Sequence, residues 1–310
     1  MSRAAQRSQV HAEVLKLARM LERRPDQLSY LEQLPLEDLR ELRERITEVL
    51  WNAHDGVLNR LATASKLLPS GISATISERA FGPLLSARLA SLLDPERAVD
   101  VATKLSPPFL ADVAIELDPR RASEVIGRIP PGQISEITRE LVSREEYVTM
   151  GRFVGHLRDD AILAALAAMD DRSLLQIGFV LEEKERLQEL VSLLSEERLA
   201  GIVQAAADGL LWLEALDLLG HLSERQRSEI AAATLELDPA SLEAIVAVVI
   251  AHDLWQEVLV VAEHDAALQR KLADRLPALP PGQRAEIARR AGETGAIGRL
   301  GVLGDALARA

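Results

Sequence analysis

The chain has 310 residues, carries a formal net charge of −12 and contains no cysteine. The missing cysteines exclude disulfides, thiol catalysis and thiolate metal sites, and the acidic balance disfavours binding to a phosphate backbone. Hydrophobic residues make up 48% of the chain but aromatic residues only 3%, a composition that excludes disorder and favours packed helices over sheets. We therefore expect an all-α protein that does not bind nucleic acid.

No segment of the sequence is suited to cross a membrane. The longest uncharged run has 11 residues, from Leu67 to Ser77, whereas a spanning helix needs about 20 apolar residues. The N-terminal segment is amphipathic and lacks the continuous apolar core of a signal peptide. We expect a cytoplasmic protein without a transmembrane segment.

Residues 1–68 are predicted to form an N-terminal helical hairpin. A first helix covers about residues 3–23, Pro25 interrupts it, and a second helix begins near Pro35 and continues to Leu68. The second helix carries one apolar stripe, formed by Leu36, Leu39, Leu42, Ile46, Val49, Leu50, Val57, Leu61 and Leu67. Such a stripe either forms a homodimer interface or is covered by the first helix folding back within one chain.

Helix-start signals recur every 12 residues in the next part of the chain. They fall at Asp94-Pro95, Ser106-Pro107, Asp118-Pro119 and Pro130-Pro131. Asp or Ser caps a free backbone N–H group, and proline at the first helical position gives up an N–H that has no partner anyway. The spacing predicts short helices, which are unstable alone and must stack on their neighbours.

A longer repeat favours the same arrangement. Residues 118–157 match residues 183–222 at an offset of 65. An internal repeat of this kind is typical of an α-solenoid, so we predict an armadillo-like superhelix of short helices over residues 69–291. Residues 292–310 form a glycine-rich C-terminal tail that is expected to fray or to form a loose terminal cap.

The motif D-P-x-R-A opens two of the predicted helices. It occurs at Asp94-Pro95-Glu96-Arg97-Ala98 and at Asp118-Pro119-Arg120-Arg121-Ala122. Through this motif, residues 93–157 resemble the cytosolic N domain of the MgtE family of magnesium channels. The resemblance implies a right-handed superhelix and an interaction or sensing module. The family continues into CBS domains and a membrane pore, which residues 158–310 do not resemble, so no channel activity and no metal ligand is carried over.

The negative charge is concentrated in one segment. Residues 158–265 carry 22 acidic and 7 basic side chains. Such a segment favours a basic protein partner or a divalent cation. Its acidic pairs could form a carboxylate rim for magnesium at Asp159-Asp160, Asp170-Asp171, Glu182-Glu183 and Glu196-Glu197. The alternative is that these pairs only cap helices, since the helix dipole stabilises negative charge at a helix start.

Two tryptophans and two histidines occupy related positions. Trp212 and Trp255 lie in the similar strings LLWLEALDLLGHL and DLWQEVLVVAEHD. They are either core residues or half-exposed anchors in a groove for a partner peptide. His156 and His221 fall at equivalent repeat positions near helix ends, where a histidine can cap terminal carbonyls.

These features predict a non-enzymatic helical-repeat protein that acts as a protein-interaction scaffold or adaptor. The sequence contains no P-loop, nucleophile elbow or dinucleotide-binding fingerprint, and no cofactor is expected. A magnesium-sensing regulatory module is the main alternative, and association with a lipid or membrane surface is a third. The third concerns residues 67–93, which are rich in Ala, Ser and Leu but lack the basic band of a surface helix.

Overall fold

The structure is a computed structural model that describes residues 3–21, 23–52, 55–209, 211–263 and 265–309. Within these ranges the chain consists of helices, turns and connecting segments, with no β-strand. The prediction of an all-α protein is confirmed. Among the described residues, no helix is both long and apolar enough to span a bilayer.

Twenty-one α-helices are present in the described part of the chain. They are α1 (Arg3–Met20), α2 (Leu36–Asn52), α3 (Asp55–Ser65), α4 (Ser70–Ile76), α5 (Gly82–Ala90), α6 (Pro95–Ala102), α7 (Pro107–Glu116), α8 (Ser123–Ile126), α9 (Pro131–Ser143), α10 (Tyr147–Phe153), α11 (Asp159–Leu166), α12 (Asp171–Val180), α13 (Leu187–Ser192), α14 (Glu196–Gly209), α15 (Trp212–Leu219), α16 (Glu224–Thr234), α17 (Pro239–His252), α18 (Trp255–Glu263), α19 (Ala266–Arg275), α20 (Pro281–Glu293) and α21 (Gly301–Leu307). A 3₁₀ helix spans Pro25–Gln33, and a π-helix spans Ser77–Phe81.

The predicted helix starts are correct at three of the four positions. The helices α6, α7 and α9 begin at Pro95, Pro107 and Pro131. The prediction at Pro119 is wrong, because a turn follows Asp118 and α8 begins only at Ser123. The Asp118 carboxylate still accepts a hydrogen bond from the N–H of Arg120 at 3.1 Å, and this bond stabilises the turn instead of a helix start.

The second helix of the predicted hairpin does not reach Leu68. Its described parts are α2, assigned as far as Asn52, and α3, which ends at Ser65. Pro69 follows and disfavours the helical conformation for the residue before it. Residues 53 and 54 lie outside the described residues, and so does the predicted continuity between α2 and α3.

The apolar stripe of the hairpin is partly covered within the chain. Leu39 is fully buried, and Thr47 on the same helix donates a hydrogen bond to the sulfur of Met20 on α1. The described contacts therefore favour the fold-back alternative. The side chains of Val49, Leu50 and Val57 lie outside the described residues. The homodimer through residues 1–68 stays a prediction.

The chain divides into two compact units. Unit 1 comprises residues 1–12 and 184–310, and unit 2 comprises residues 13–183. Within unit 2, helices contact the next helix but one, in a first series α3–α5–α7–α9–α11 and a second series α4–α6–α8. Within unit 1 the same pattern links α14–α16–α18–α20, α15–α17 and α19–α21. The three predicted segments do not coincide with these units, and their boundaries stay predictions.

The C-terminal segment is part of the core of unit 1. Ala296 and Leu300 are fully buried, and Leu303 and Leu307 pack in the same apolar cluster. The expectation of a frayed tail is wrong, because the glycines allow close packing here. A Cβ atom at Gly304 would clash with the carbonyl oxygen of Ile297.

Candidate functional site

Unit 2 contains an apolar cavity that is partly open to solvent and has a volume of about 320 Å³. Every helix from α3 to α12 contributes at least one residue to its wall, so the cavity extends along both helix series. Typical lining residues are Leu61, Val101, Val113, Ile134, Phe153 and Ile177. None of the described side chains that line it is charged.

Small side chains create the space. Alanines line the cavity on α3, α5, α6, α7 and α11, namely Ala64, Ala90, Ala98, Ala102, Ala114 and Ala165. Two helices that meet through alanines can pack closely if the side chains of the facing helix fill the space beside them. Where the facing side chains do not fill it, the small alanine side chain leaves a void in the packed interior.

Hydroxyl groups are the main polar groups of the cavity wall. They belong to Ser65, Ser73, Ser77, Ser86 and Thr138. Ser86 is 7% exposed, and its hydroxyl has no hydrogen-bond partner among the described residues. A buried hydroxyl without a partner is unfavourable, and the oxygen has almost no accessible surface of its own.

A π-helix forms part of the wall. Ser77 and Phe81, its first and last residues, both line the cavity. It is followed by Gly82, whose positive φ of +71° is accessible to glycine without strain. Single π-helical turns occur frequently at functional sites, and here the turn places two side chains on the cavity.

The guanidinium of Arg97 lies at the α3–α4 end of the cavity. Its Nη2 donates to the carbonyl oxygen of Ser65 at 3.3 Å, to the hydroxyl of Ser73 at 3.2 Å and to the carbonyl oxygen of Leu68. All three of these residues line the cavity. The Nε–H of Arg97 is buried and has no hydrogen-bond partner among the described residues.

A group of charged residues outside the cavity wall connects α1, α2 and the segment after α12. We call Glu13, Lys16, Arg43 and Glu182 the ionic cluster. Glu13 accepts hydrogen bonds from the Lys16 Nζ at 2.9 Å and from the Arg43 Nε at 3.0 Å, and Arg43 also donates to Glu182 at 2.9 Å. Every charge in the cluster has an opposite charge as its partner, which is typical of a structural network and leaves no group available for chemistry.

The ionic cluster lowers the pKa of Glu13. Burial alone would raise the pKa of this carboxyl, but the charges and hydrogen bonds of Lys16 and Arg43 outweigh burial and lower the pKa below its ordinary value of 4.5. The carboxylate is therefore ionised at neutral pH although Glu13 is only 3% exposed.

The predicted tryptophan groove is not supported. Trp212 and Trp255 begin α15 and α18 and are each 4% exposed, so the structure favours the core alternative. A residue that anchors a partner needs an accessible face, which neither tryptophan offers.

The two histidines singled out in the sequence, His156 and His221, each contact a side chain. The Nδ1 of His156 lies 3.1 Å from the hydroxyl oxygen of Ser123, and the Nε2 of His221 lies 3.4 Å from the Nε2 of Gln9. Burial, together with the charge of Lys184, lowers the pKa of His221. A neutral ring at this position is compatible with its contact to the amide of Gln9.

The carboxylates do not gather into a metal site in the described part of the chain. No group of three or more Asp, Glu or His side chains lies close enough together to hold a metal ion there. One of the predicted rim residues instead caps a helix: Asp170 accepts a hydrogen bond from the N–H of Ser173 at 2.7 Å. Asp160 lies in the first turn of α11 and accepts a hydrogen bond from the N–H of Ala161 at 2.9 Å.

No family model, curated protein or solved structure matches the chain. The resemblance of residues 93–157 to the MgtE N domain therefore stays a prediction. The function has to be argued from the geometry of the chain itself. The cavity is the most distinctive feature of that geometry, and none of its lining residues was a predicted site residue.

Proposed function

We propose that unit 2 binds an apolar, lipid-like small molecule in its cavity and that this binding involves no catalysis. The observation that carries the proposal is an internal space of about 320 Å³ whose described lining is free of charged side chains. Small-molecule pockets measure about 300–1,000 Å³ and are mostly apolar. An apolar cavity of about 150 Å³ is already large enough to bind benzene.

The apolar character of the wall supports the proposal. A well-held water needs two to four polar partners, and the wall is mainly hydrocarbon, so it offers water few hydrogen bonds. An apolar ligand in the same place buries hydrocarbon surface of its own and of the wall, which is favourable at about 25 cal/mol per Å².

We also propose that the helices of each unit are arranged as a superhelix. The support is the contact pattern within each unit, where a helix packs on the next helix but one, as in two stacked layers of a solenoid. In unit 2 the cavity is lined by both layers. An experimental structure in which each helix packed mainly on its direct neighbour, as in a simple bundle, would contradict this arrangement.

The hypotheses of a protein scaffold and of a magnesium sensor stay predictions. A scaffold surface built on Trp212 and Trp255 would need these side chains to become exposed. A magnesium site would need carboxylates to gather that the described structure keeps apart. The hypothesis that unit 2 binds an apolar small molecule is supported by a specific cavity, and we therefore place it first.

A dye titration tests the proposed function. N-phenylnaphthylamine is neutral and apolar and fluoresces more strongly out of water. We expect saturable binding of about one dye per full-length chain, displacement by dodecanol, and a rise in melting temperature with dodecanol. At a ligand concentration of one hundred times Kd the stabilisation is about 2.7 kcal/mol. A fluorescence signal that never saturates, with an unchanged melting temperature, would count against a ligand cavity.

A further inference from the structure

We propose that unit 2 docks on the surface of an anionic lipid bilayer through an exposed apolar patch beside the opening of the cavity. The patch consists of Leu67, Leu68 and Ile72, and we call it the docking patch. The proposal rests on the proposed function and adds to it the source of the ligand. A bilayer that covers the opening lets an apolar molecule enter the cavity without passing through water.

The cavity opens where α3 is connected to α4. Among the described residues that line the cavity, only Ala64 and Leu68 are exposed. Ala64 lies in the last turn of α3, and Leu68 lies in the segment before α4. Leu68 belongs both to the cavity wall and to the docking patch, so the two apolar surfaces are continuous.

The docking patch is aliphatic and accessible. Leu67 is 87% exposed, the largest exposed fraction of any large apolar residue in the described part of the chain, and Ile72 is 49% exposed. Three exposed apolar residues within six positions form a cluster, whereas singly scattered ones are ordinary on protein surfaces. Hot spots for protein partners are rich in Trp, Tyr and Arg and poor in Leu, so this composition suits a bilayer better than a protein.

Hydrogen bonds from α6 hold the docking patch in place. The Nη2 of Arg97 donates to the carbonyl oxygens of Ser65 and Leu68 and to the hydroxyl of Ser73. These acceptors lie on both sides of the patch in the sequence, so the connection between α3 and α4 is tied to α6 at both of its ends. A backbone that is already ordered lowers the entropic cost of docking.

The fold surrounds the docking patch with positive charge. Lys66 is exposed and directly precedes the patch, and a Cβ atom at Gly71 would lie 3.9 Å from the Cδ of Lys104. Arg97 and Lys104 share the carboxylate of Asp100. The described contacts thus place three cations and one carboxylate around the patch, a net charge of +2. Because the whole chain carries −12, an anionic bilayer favours contact at this cationic end.

The basic residues come from outside the apolar segment. The sequence of residues 67–93 alone lacks the basic band of a membrane-surface helix. Lys66 precedes this segment, and α6 brings Arg97 against it through the bond to Leu68. The apolar and the basic parts of the docking surface therefore belong to different stretches of the chain.

Co-sedimentation of the full-length protein with vesicles tests the proposal. Vesicles of phosphatidylcholine are compared with vesicles of equal parts phosphatidylcholine and phosphatidylglycerol. We expect binding to the mixed vesicles that weakens as salt is added, and much weaker binding to phosphatidylcholine. Leu67→Glu should weaken binding to the mixed vesicles about tenfold, because it removes an apolar side chain and adds a repelled charge. Lys66→Gln should weaken it about fivefold, the usual contribution of one cation.

The matched control is Leu163→Glu on α11. Leu163 is 50% exposed, and α11 is the last helix of the first series, whereas the docking patch follows α3, the first helix of that series. We expect this variant to bind the mixed vesicles like the wild type. None of the three substituted residues lines the cavity, so N-phenylnaphthylamine should bind every variant normally when vesicles are absent.

The outcomes separate the docking surface from the proposed function. Dye binding without any binding to the mixed vesicles would overturn the docking proposal and leave the proposed function standing. An equal loss of vesicle binding in Leu67→Glu and Leu163→Glu would also overturn it, since binding would then have no defined site. A dimer in light scattering that Leu67→Glu dissociates, without vesicle binding, would assign the patch to a second copy of the chain. Vesicle binding without dye binding would retain the docking surface and contradict the proposed function.

Discussion

Ala114→Phe weakens ligand binding about a hundredfold while the protein stays folded. Ala114 is 8% exposed, lies on α7 and lines the cavity, so a phenyl ring placed there occupies ligand space. Excluding about four methylene groups at about 0.8 kcal/mol each costs about 3 kcal/mol of binding, or about a hundredfold in Kd. The same ring buries apolar surface in the empty protein. We therefore expect an unchanged or higher melting temperature, measured alongside the dye titration.

The matched control for this variant is Ala111→Phe on the same helix. Ala111 is fully buried among Leu141, Met150 and Ile177 and does not line the cavity. Overfilling a well-packed position costs roughly 1–3 kcal/mol, so this variant should melt at a lower temperature than the wild type. If Ala114→Phe were as destabilising as Ala111→Phe, or bound the dye as tightly as the wild type, the space beside Ala114 would not be the ligand site.

Glu13→Gln has the largest expected effect on stability. The substitution leaves Lys16 and Arg43 buried without their shared carboxylate, and Arg40 at 3.9 Å also loses its partner. Removing one member of a buried ion pair typically costs about 3–5 kcal/mol, because the remaining charge is uncompensated. We expect the urea midpoint followed by circular dichroism to fall accordingly. Glu41→Gln, which breaks an exposed pair with Arg45, should change stability by less than about 1 kcal/mol.

The same residue sets an acid dependence. Because folding lowers the pKa of Glu13, its stabilising contribution is present above the unfolded-state pKa of about 4.5 and is lost as the pH falls through the lower folded-state value. The wild type should therefore lose stability below about pH 5 more steeply than Glu13→Gln. Parallel pH profiles for the two proteins would refute this role of the carboxylate.

Local signals in the sequence predicted the secondary structure well where they act alone. Proline after a capping residue marked the starts of α6, α7 and α9, because both effects operate within one helical turn. The helix start predicted at Pro119 is wrong, because the same Asp-Pro pattern there begins a turn that precedes α8. The glycines near the C-terminus were interpreted as a sign of fraying or of a loose cap, whereas Gly304 allows the backbone to approach Ile297 closely.

The cavity could not be predicted from the sequence. The alanines at positions 90, 102 and 114 are compatible with tight helix packing and equally with a void, and only the distances between helices decide between them. Arg97 belongs to the D-P-x-R-A motif, which capping alone explained. Its contacts with Ser65 and Ser73 join parts of the chain about 20–30 residues away, which no local pattern encodes. Trp212 and Trp255 drew attention as large aromatic residues, yet both are core residues.

The four methionines provide the most direct test that the cavity is the binding site. Met150 and Met169 line the cavity, whereas Met20 on α1 does not, and Met1 lies outside the described residues. Methyl-labelled methionine gives one NMR signal for each residue, assigned by single Met→Leu variants. On titration with dodecanol we predict that the signals of Met150 and Met169 shift and saturate together while that of Met20 stays in place. Unchanged signals for both cavity methionines at saturating ligand would contradict binding in the cavity.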